Sequence, residues 1–212
     1  KLKAADGETI SAYFLPADEN GPVMLYSHGN GEDIEDVRPL LRQFQEKGVS
    51  VMTYDYPGYG TSTGRPSEAG VYAAAEAALL YLMEEKGCPP EAITLYGRSL
   101  GSGPSCWLAK RYPVAGLILD GAFSSTFRVM TRVKLLPFDR FDNLAVLPDL
   151  ECPVLLVHGK EDMMVPFDHA LAIEKMLATP PETLWVETAN HNNLIETAGD
   201  RYWHAVLDFI QK

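Results

Sequence analysis

The stretch Ile93-Thr94-Leu95-Tyr96-Gly97-Arg98-Ser99-Leu100-Gly101 joins a short apolar run to a serine with a glycine two places before it and another two places after it. The apolar run predicts a buried strand, and the residues beyond it, as far as Arg111, predict a helix. Gly-x-Ser-x-Gly at such a junction is typical of a nucleophile elbow, a sharp turn that holds the serine in a strained backbone conformation. Glycines suit positions 97 and 101 because side chains there would clash where the helix crosses the strand. The stretch makes Ser99 the candidate catalytic nucleophile.

A second stretch, Gly60-Thr61-Ser62-Thr63-Gly64, has the same spacing but a different setting. It follows a loop rich in proline and glycine, and Pro66 comes before any helix can begin. An elbow needs a strand that ends at the serine and a helix that starts there. We therefore interpret Ser62 as a loop residue and this match as accidental.

Apolar strands alternate with helical stretches along almost the whole chain. Such alternation indicates a parallel sheet covered on both faces, with ligands at the carboxyl ends of the strands. We predict an α/β fold with a mostly parallel, open sheet of about seven to eight strands, helices on both faces and a minimal lid. We expect a single domain over residues 1–212, with a short lid-like insertion around residues 123–150. The predicted strands are Thr9–Leu15, Val23–Tyr26, Val49–Tyr54, Ile93–Tyr96, Ala115–Leu119, Val154–Val157 and Thr183–Glu187.

The helix boundaries carry their own signals. Apolar residues recur at helical spacing over residues 34–44, and Gly48 is placed to stop that helix. Ser67 is suited to cap a long helix rich in Ala and Leu, which Gly87 ends. A last helix is expected from about Arg201 to Ile210.

The composition excludes several partners and cofactors. A formal net charge of -11 works against a nucleic acid partner, because such a site needs a basic patch to displace counterions. Three cysteines, an odd number without C-x-x-C spacing, predict neither a disulfide framework nor a zinc site, and we expect no cofactor and no metal. The chain has no run of about eighteen apolar residues, so membrane association is not visible in it. Because it begins with Lys, a signal or anchor could precede it, and the compartment stays open with the cytoplasm slightly favoured.

A serine hydroxyl is a weak nucleophile at neutral pH and needs a base within hydrogen-bond reach. Among the five histidines, His191 lies in a polar loop, Ala189-Asn190-His191-Asn192-Asn193, between the last predicted strand and the last helix. A side chain there is free to reach over the carboxyl edge of the sheet, so we take His191 as the base, with a structural loop histidine as the alternative. The others are interpreted as helix residues (His169 and His204) or turn residues (His28 and His158).

The base in turn needs a carboxylate that orients its ring. Asp162 lies beyond the glycine turn His158-Gly159-Lys160-Glu161, directly after a predicted strand. A carboxylate there is placed to accept the proton-bearing nitrogen of His191, so we take Asp162 as the acid. Asp120, at the end of the preceding strand, and the neighbouring Glu161 are the competing candidates.

Two backbone N–H groups are candidates for an oxyanion hole. The N–H of Leu100, just after the nucleophile, lies at the amino end of a predicted helix, where unpaired donors and the helix dipole favour negative charge. The N–H of Asn30 lies in the loop Ser27-His28-Gly29-Asn30-Gly31 after an early strand, where the second donor is needed. The alternative for that loop is a plain glycine-rich turn.

With these segments in this order, the chain resembles the α/β-hydrolase fold superfamily of serine hydrolases over nearly its whole length. It is most similar to the small group without a large cap, which includes lipid-handling esterases and thioesterases that remove acyl chains from proteins. The resemblance also implies a strand before Thr9, which we expect to be clipped or lost. The segments that carry the resemblance are Ser27-His28-Gly29-Asn30-Gly31, Asp55-Tyr56-Pro57-Gly58-Tyr59-Gly60, Gly97-Arg98-Ser99-Leu100-Gly101, His158-Gly159-Lys160-Glu161-Asp162 and Asn190-His191-Asn192.

These residues predict a serine hydrolase that cleaves carboxylic esters or thioesters of a small or lipid-like acyl group through an acyl-enzyme on Ser99. A hydrolase of small peptides or aminoacyl amides is an alternative, because the same three side chains also cleave amides. A non-catalytic binding module on the same scaffold is another. Apolar residues of the insertion would either line an acyl pocket or belong to the core: Phe127, Met130, Leu135, Leu136, Phe138 and Phe141.

Overall fold

A mostly parallel sheet forms the centre of the protein, whose computed structural model describes residues 1–18, 21–124 and 141–212. The described strands are β1 (Leu2–Lys3), β2 (Thr9–Ile10), β3 (Ala12–Leu15), β4 (Val23–Ser27), β5 (Ser50–Tyr54), β6 (Ile93–Arg98), β7 (Gly116–Asp120), β8 (Val154–Gly159) and β9 (Glu182–Val186). Seven of them form one sheet in the order β3-β5-β4-β6-β7-β8-β9. In this sheet β3 runs antiparallel to β5 and the other neighbouring pairs are parallel, which confirms the predicted α/β class.

Helices cover both faces of this sheet. The described helices are α1 (Ile34–Glu46), α2 (Glu68–Glu84), α3 (Ser102–Ala109), α4 (Asp168–Met176), α5 (Leu194–Ala198) and α6 (Asp200–Ile210). Because successive strand residues point to opposite faces, Met24 belongs to the core cluster that includes residues of α1 and α6. Its neighbour Leu25 belongs to the cluster on the other face, which includes residues of α2, α3 and α4. The sheet is therefore buried on both sides, and its carboxyl edge is left for the loops that carry the candidate site.

The helix starts follow from side-chain caps. The carboxylate of Asp33 accepts hydrogen bonds from the N–H groups of Glu35 and Asp36, and α1 begins at the next residue, Ile34. The hydroxyl of Ser67 accepts a hydrogen bond of 3.1 Å from the N–H of Gly70 at the start of α2, as its sequence position predicts. These bonds satisfy N–H groups that lack partners inside the helix.

The amino-terminal region differs from the expectation. The predicted strand Thr9–Leu15 is interrupted at Ser11, whose N–H bonds to the Ser62 hydroxyl and whose carbonyl accepts from the N–H of Asp55. The strand before Thr9 is short, as expected: it consists of two residues, Leu2–Lys3, paired antiparallel with Thr9–Ile10. Most of the lid-like insertion, residues 125–140, lies outside the described residues, and the expectation of one domain stays a prediction.

Replacement of Ser67 by alanine should lower the free energy of unfolding by about 1 kcal/mol, because the first turn of α2 loses its cap. Urea unfolding followed by circular dichroism measures this change. Ser67→Asn, which keeps a capping oxygen, is the matched control and should stay close to the wild type. Equal stability of Ser67→Ala and the wild type would contradict the prediction.

Candidate active site

Ser99 lies at the junction between β6 and the short 3-10 turn Ser99–Gly101 that leads into α3. Its φ of 49° is in the left-handed region, which costs a residue with a Cβ of the order of 1–3 kcal/mol. A Cβ at Gly97 would lie 2.6 Å from the carbonyl oxygen of Gly101, and a Cβ at Gly101 would lie 2.0 Å from the carbonyl oxygen of Ser27. The two glycines therefore let α3 pass close to the ends of β4 and β6.

His191 and Asp162 form a hydrogen-bonded pair at the same edge of the sheet. Nδ1 of His191 lies 2.6 Å from Oδ2 of Asp162. The other carboxylate oxygen, Oδ1, accepts hydrogen bonds from the N–H groups of Met164 at 2.8 Å and Val165 at 2.7 Å. The turn after β8 thus fixes the carboxylate, and the carboxylate fixes the imidazole ring.

The protonation of this pair follows from its surroundings. Burial acts to raise the pKa of Asp162, but the hydrogen bonds from His191 and Val165 and the nearby histidines outweigh it, so the pKa lies below its ordinary value. An ionised carboxylate only accepts hydrogen bonds, so Nδ1 of His191 carries the proton. The lone pair of Nε2 is then free on the side of the ring away from Asp162.

His191 and Asp162 both lie close to Gly121, the residue that follows β7. Arg98 of β6 is paired in register with Asp120 of β7. Ser99 and Gly121, which follow these two residues, are therefore neighbours at the carboxyl edge of the sheet. A Cβ at Gly121 would lie 3.0 Å from Cε1 of His191 and 3.9 Å from Oδ2 of Asp162. Among the described hydrogen bonds none joins the Ser99 hydroxyl to His191, and bonds of this kind often tighten only when substrate binds.

The competing carboxylates have other surroundings. Oδ2 of Asp120 accepts a hydrogen bond of 2.7 Å from the hydroxyl of Tyr96, which also bonds to the hydroxyl of Tyr202. Asp120 is buried, and this burial raises its pKa. Glu161 is exposed to solvent. Of the three candidate acids, only Asp162 hydrogen-bonds to His191.

The remaining histidines lie outside the hydrogen-bonded pair of His191 and Asp162. His158, interpreted from the sequence as a turn residue, instead lies within β8 and is buried. Its Nε2 donates to the carbonyl of Val165 at 2.8 Å and lies 3.6 Å from Oδ2 of Asp162, so it supports the turn that holds the acid. His28 is buried after β4, and His169 and His204 lie in helices as the spacing predicts.

The loop after β4 brings Asn30 near the elbow. Ser27, at the end of β4, is paired in register with Gly97, so the loop begins beside Ser99. The hydroxyl of Tyr59 donates a hydrogen bond of 2.7 Å to Oδ1 of Asn30. The sequence reasoning missed this contact, although Tyr59 belongs to a segment that carries the family resemblance. Leu100 lies in the 3-10 turn ahead of α3, where its N–H belongs to the amino end of the helical segment.

Ser62, the serine of the second Gly-x-Ser-x-Gly stretch, hydrogen-bonds to backbone groups of neighbouring segments. Its hydroxyl donates to the carbonyl of Asp55 at 2.9 Å and accepts from the N–H of Ser11 at 2.9 Å. These bonds tie the loop after β5 to the residue between β2 and β3. The structure therefore supports the interpretation of Ser62 as a loop residue.

The described residues show little of an acyl pocket. Residues Phe127 to Phe138 of the insertion lie outside them, so their proposed lining role is not described. Phe141 is buried, and a Cβ at Gly103 of α3 would lie 2.4 Å from its ring, so Phe141 belongs to the core. Within the described ranges no group of three or more His, Cys, Asp or Glu side chains could hold a metal ion, and no helix is long and apolar enough to span a membrane.

Comparisons with known proteins place this geometry in a family. Residues 22–145 match the family described as alpha/beta hydrolase fold. The chain is 36% identical over 214 residues to alpha/beta hydrolase domain-containing protein 17B of Homo sapiens, with 99% of this chain and 74% of that protein covered. It is 38% identical over 174 residues to alpha/beta hydrolase domain-containing protein aho-3 of Caenorhabditis elegans, with 81% of this chain covered. That alignment spans 52% of the nematode protein.

Solved structures share the fold. The esterase Pf2001 of Pyrococcus furiosus superposes with a TM-score of 0.83 at 19% identity, covering 99% of this chain and 90% of that one. Est1E of Butyrivibrio proteoclasticus, in its structure with ferulic acid, gives a TM-score of 0.82 at 18% identity over 100% of both chains. The protein belongs to the alpha/beta hydrolase fold family. Its membership and the relatives at 36% and 38% identity support a hydrolase.

The low pKa of Asp162 predicts a specific loss of stability in acid. Its ionised form is stabilised in the folded state, so its contribution is present above about pH 4 and is lost as the pH falls through the folded-state pKa. Asp162→Asn should lower the free energy of unfolding at pH 7 by about 2 kcal/mol, because hydrogen bonds to charged groups are stronger than neutral ones. The difference from the wild type should shrink towards pH 3.

Urea unfolding at pH 7, 5 and 3 measures the free energy of unfolding of the wild type and of Asp162→Asn. Glu161→Gln, which changes an exposed neighbouring carboxylate, is the control. Its free energy of unfolding should change with pH in the same way as that of the wild type. A constant difference between Asp162→Asn and the wild type at all three pH values would contradict the prediction.

Proposed function

We propose that the protein is a serine hydrolase that cleaves carboxylic esters or thioesters, with Ser99 as nucleophile, His191 as base and Asp162 as the acid that orients it. The observation that supports this proposal most directly is the 2.6 Å hydrogen bond between His191 and Asp162 next to the backbone turn at Ser99. A serine in a left-handed turn and an imidazole held by a carboxylate are the two parts that nucleophilic acyl transfer needs.

Acylation begins when Nε2 of His191 takes the hydroxyl proton of Ser99 as Oγ forms a bond to the acyl carbon. The carbonyl oxygen of the substrate becomes an oxyanion, which the N–H groups of Leu100 and Asn30 are proposed to stabilise. The bond to the leaving alcohol or thiol then breaks, and the leaving group takes the proton from His191. The product of this half-reaction is an acyl ester on Ser99.

Deacylation repeats the same proton transfers with water. Nε2 of His191 takes a proton from water as the water oxygen bonds to the acyl carbon. The bond to Oγ breaks, Ser99 recovers a proton from His191, and the carboxylic acid leaves. Throughout, the carboxylate of Asp162 stabilises the imidazolium that forms after each transfer.

The surroundings of the acid favour an acyl group with apolar character. Met163 and Met164 directly follow Asp162, and their side chains are 88% and 59% exposed. Thioether side chains adapt their shape to apolar ligands. We propose a lipid-like or other small acyl substrate, with this pair at the rim of the site.

Ser99→Ala should lower kcat by several orders of magnitude, because the acyl-enzyme cannot form. Initial rates on p-nitrophenyl esters of increasing chain length, on matched thioesters and on aminoacyl amides measure the loss and the substrate class together. Ser62→Ala is the matched control, since it changes the serine of the other Gly-x-Ser-x-Gly stretch and should retain turnover. Fluorophosphonate labelling should be lost in Ser99→Ala alone.

Turnover by Ser99→Ala equal to that of the wild type would disprove the proposal. Faster cleavage of amides than of esters would favour a peptide or aminoacyl amide hydrolase. Tight binding of esters without turnover by the wild type would favour a binding module.

The assignment of the acid has its own test. Asp162→Asn should lower kcat by about a thousandfold or more, because the amide no longer fixes the proton on Nδ1 of His191. Asp120→Asn should stay within about tenfold of the wild type, since this carboxylate bonds to Tyr96 instead. Steady-state kinetics on one ester compares the two variants. The reverse order of losses would show that Asp120 is the acid.

A further inference from the structure

Arg98 occupies the first of the two variable positions of the Gly-x-Ser-x-Gly stretch, at the end of β6 and directly before Ser99. Its guanidinium Nη1 donates to Oε1 of Glu32, which follows the loop after β4. The two side chains are 17% and 26% exposed, so solvent screens this pair less than the ion pairs on the surface. None of the roles proposed for the site uses either residue.

Glu32 connects this pair to the proposed oxyanion loop. Its second carboxylate oxygen, Oε2, accepts a hydrogen bond of 2.7 Å from the N–H of Gly29. Gly29 immediately precedes Asn30, the candidate for the second oxyanion donor. The position of the Glu32 carboxylate therefore affects the orientation of the backbone at that donor.

Arg98 also contacts the loop that carries the proposed base. Its Nη2 lies 3.4 Å from the backbone carbonyl oxygen of His191, a long hydrogen bond. Because the guanidinium is planar and rigid, its two nitrogen atoms keep a fixed spacing. One side chain thus joins the elbow, the loop after β4 and the loop after β9.

Arg98, Glu32 and His191 line one side of an open surface pocket. The pocket has a volume of about 130 Å³ and is also lined by Val37 of α1 and Leu194 of α5. Side chains that line an open pocket have packing neighbours on fewer sides than side chains in a close-packed interior. Their polar contacts therefore contribute to their positioning.

The guanidinium remains charged in this setting. Burial alone would lower the pKa of Arg98, but Tyr26, Asp120 and Glu32 around it hold that pKa above its ordinary value. The guanidinium therefore keeps its charge across the pH range in which such an enzyme works.

We propose that Arg98 and Glu32 act as a positioning clamp, which sets the distance between the nucleophile, the base loop and the oxyanion donor at Asn30. This inference rests on the proposed function. Neither residue forms or breaks a bond with the substrate. The clamp acts through the backbone of Gly29 and His191, so its loss affects the transition state more than the binding of substrate.

Steady-state and single-turnover kinetics of Arg98→Met, Glu32→Gln and the double variant test the clamp. Each single variant should lower kcat by about 10- to 100-fold while KM stays within about threefold, because misplaced groups cost transition-state stabilisation. The double variant should be no slower than the slower single variant, since both changes break the same clamp. The acylation burst should slow in parallel.

Two further variants separate positioning from stability. Arg98→Lys keeps the charge but has a single nitrogen, which cannot reach both Glu32 and the His191 carbonyl at a fixed spacing, so its kcat should lie between those of the wild type and Arg98→Met. Lys110→Met breaks the surface ion pair with Asp149 and should leave kcat unchanged. Thermal unfolding of every variant shows whether it is folded at the assay temperature. If Arg98→Met does not fold, Glu32→Gln and Arg98→Lys carry the test.

Several outcomes would overturn the clamp while leaving the proposed function intact. These are an unchanged kcat in folded Arg98→Met, an increase in KM alone, or losses in the double variant that multiply. In each of them Ser99→Ala would still abolish turnover. Retained turnover in Ser99→Ala would instead refute the proposed function itself.

Discussion

The candidate site depends on how closely α3 passes the ends of β4 and β6. Positions 97 and 101 have no room for a Cβ, since a methyl group there would lie 2.6 Å and 2.0 Å from backbone carbonyl oxygens. This approach leaves Ser99 in a left-handed conformation that a serine adopts at a cost. The cost is compensated by the packing of the sheet and helix, which hold the turn in place. Ser99 therefore lies at the carboxyl end of β6, at the edge of the sheet that also carries His191 and Asp162.

His191 and Asp162 are positioned separately from the turn at Ser99. The turn after β8 directs two backbone N–H groups at one oxygen of Asp162 and leaves the other oxygen for His191. His158 supports the same turn through the carbonyl of Val165. Asp162 is thus fixed by local hydrogen bonds, whereas Ser99 is fixed by close packing. The sheet places both at one edge, where Gly121 leaves space for the imidazole.

The residues that could be recognised from sequence are those whose positions follow from local segments of the chain. The Ser99 elbow and the cap at Ser67 have local signatures, because a strand, a turn and a helix follow one another within a few residues. His191 and Asp162 were found by their positions after predicted strands, since the carboxyl ends of parallel strands share one edge. The pairing of Arg98 with Glu32 has no such signature. Sixty-six residues separate the two, and neither stands at a position that a motif defines.

The sequence by itself determined the α/β class, the seven strands of the main sheet and the turn at Ser99, because these depend on hydrophobic periodicity and on glycine at positions that exclude a Cβ. The tertiary structure decided which of three carboxylates meets His191. Asp120 ends β7 and Asp162 follows β8, and only the direction of each side chain assigns Asp120 to Tyr96 and Asp162 to the imidazole. Side-chain direction depends on packing between distant segments, which the order of residues along the chain does not display.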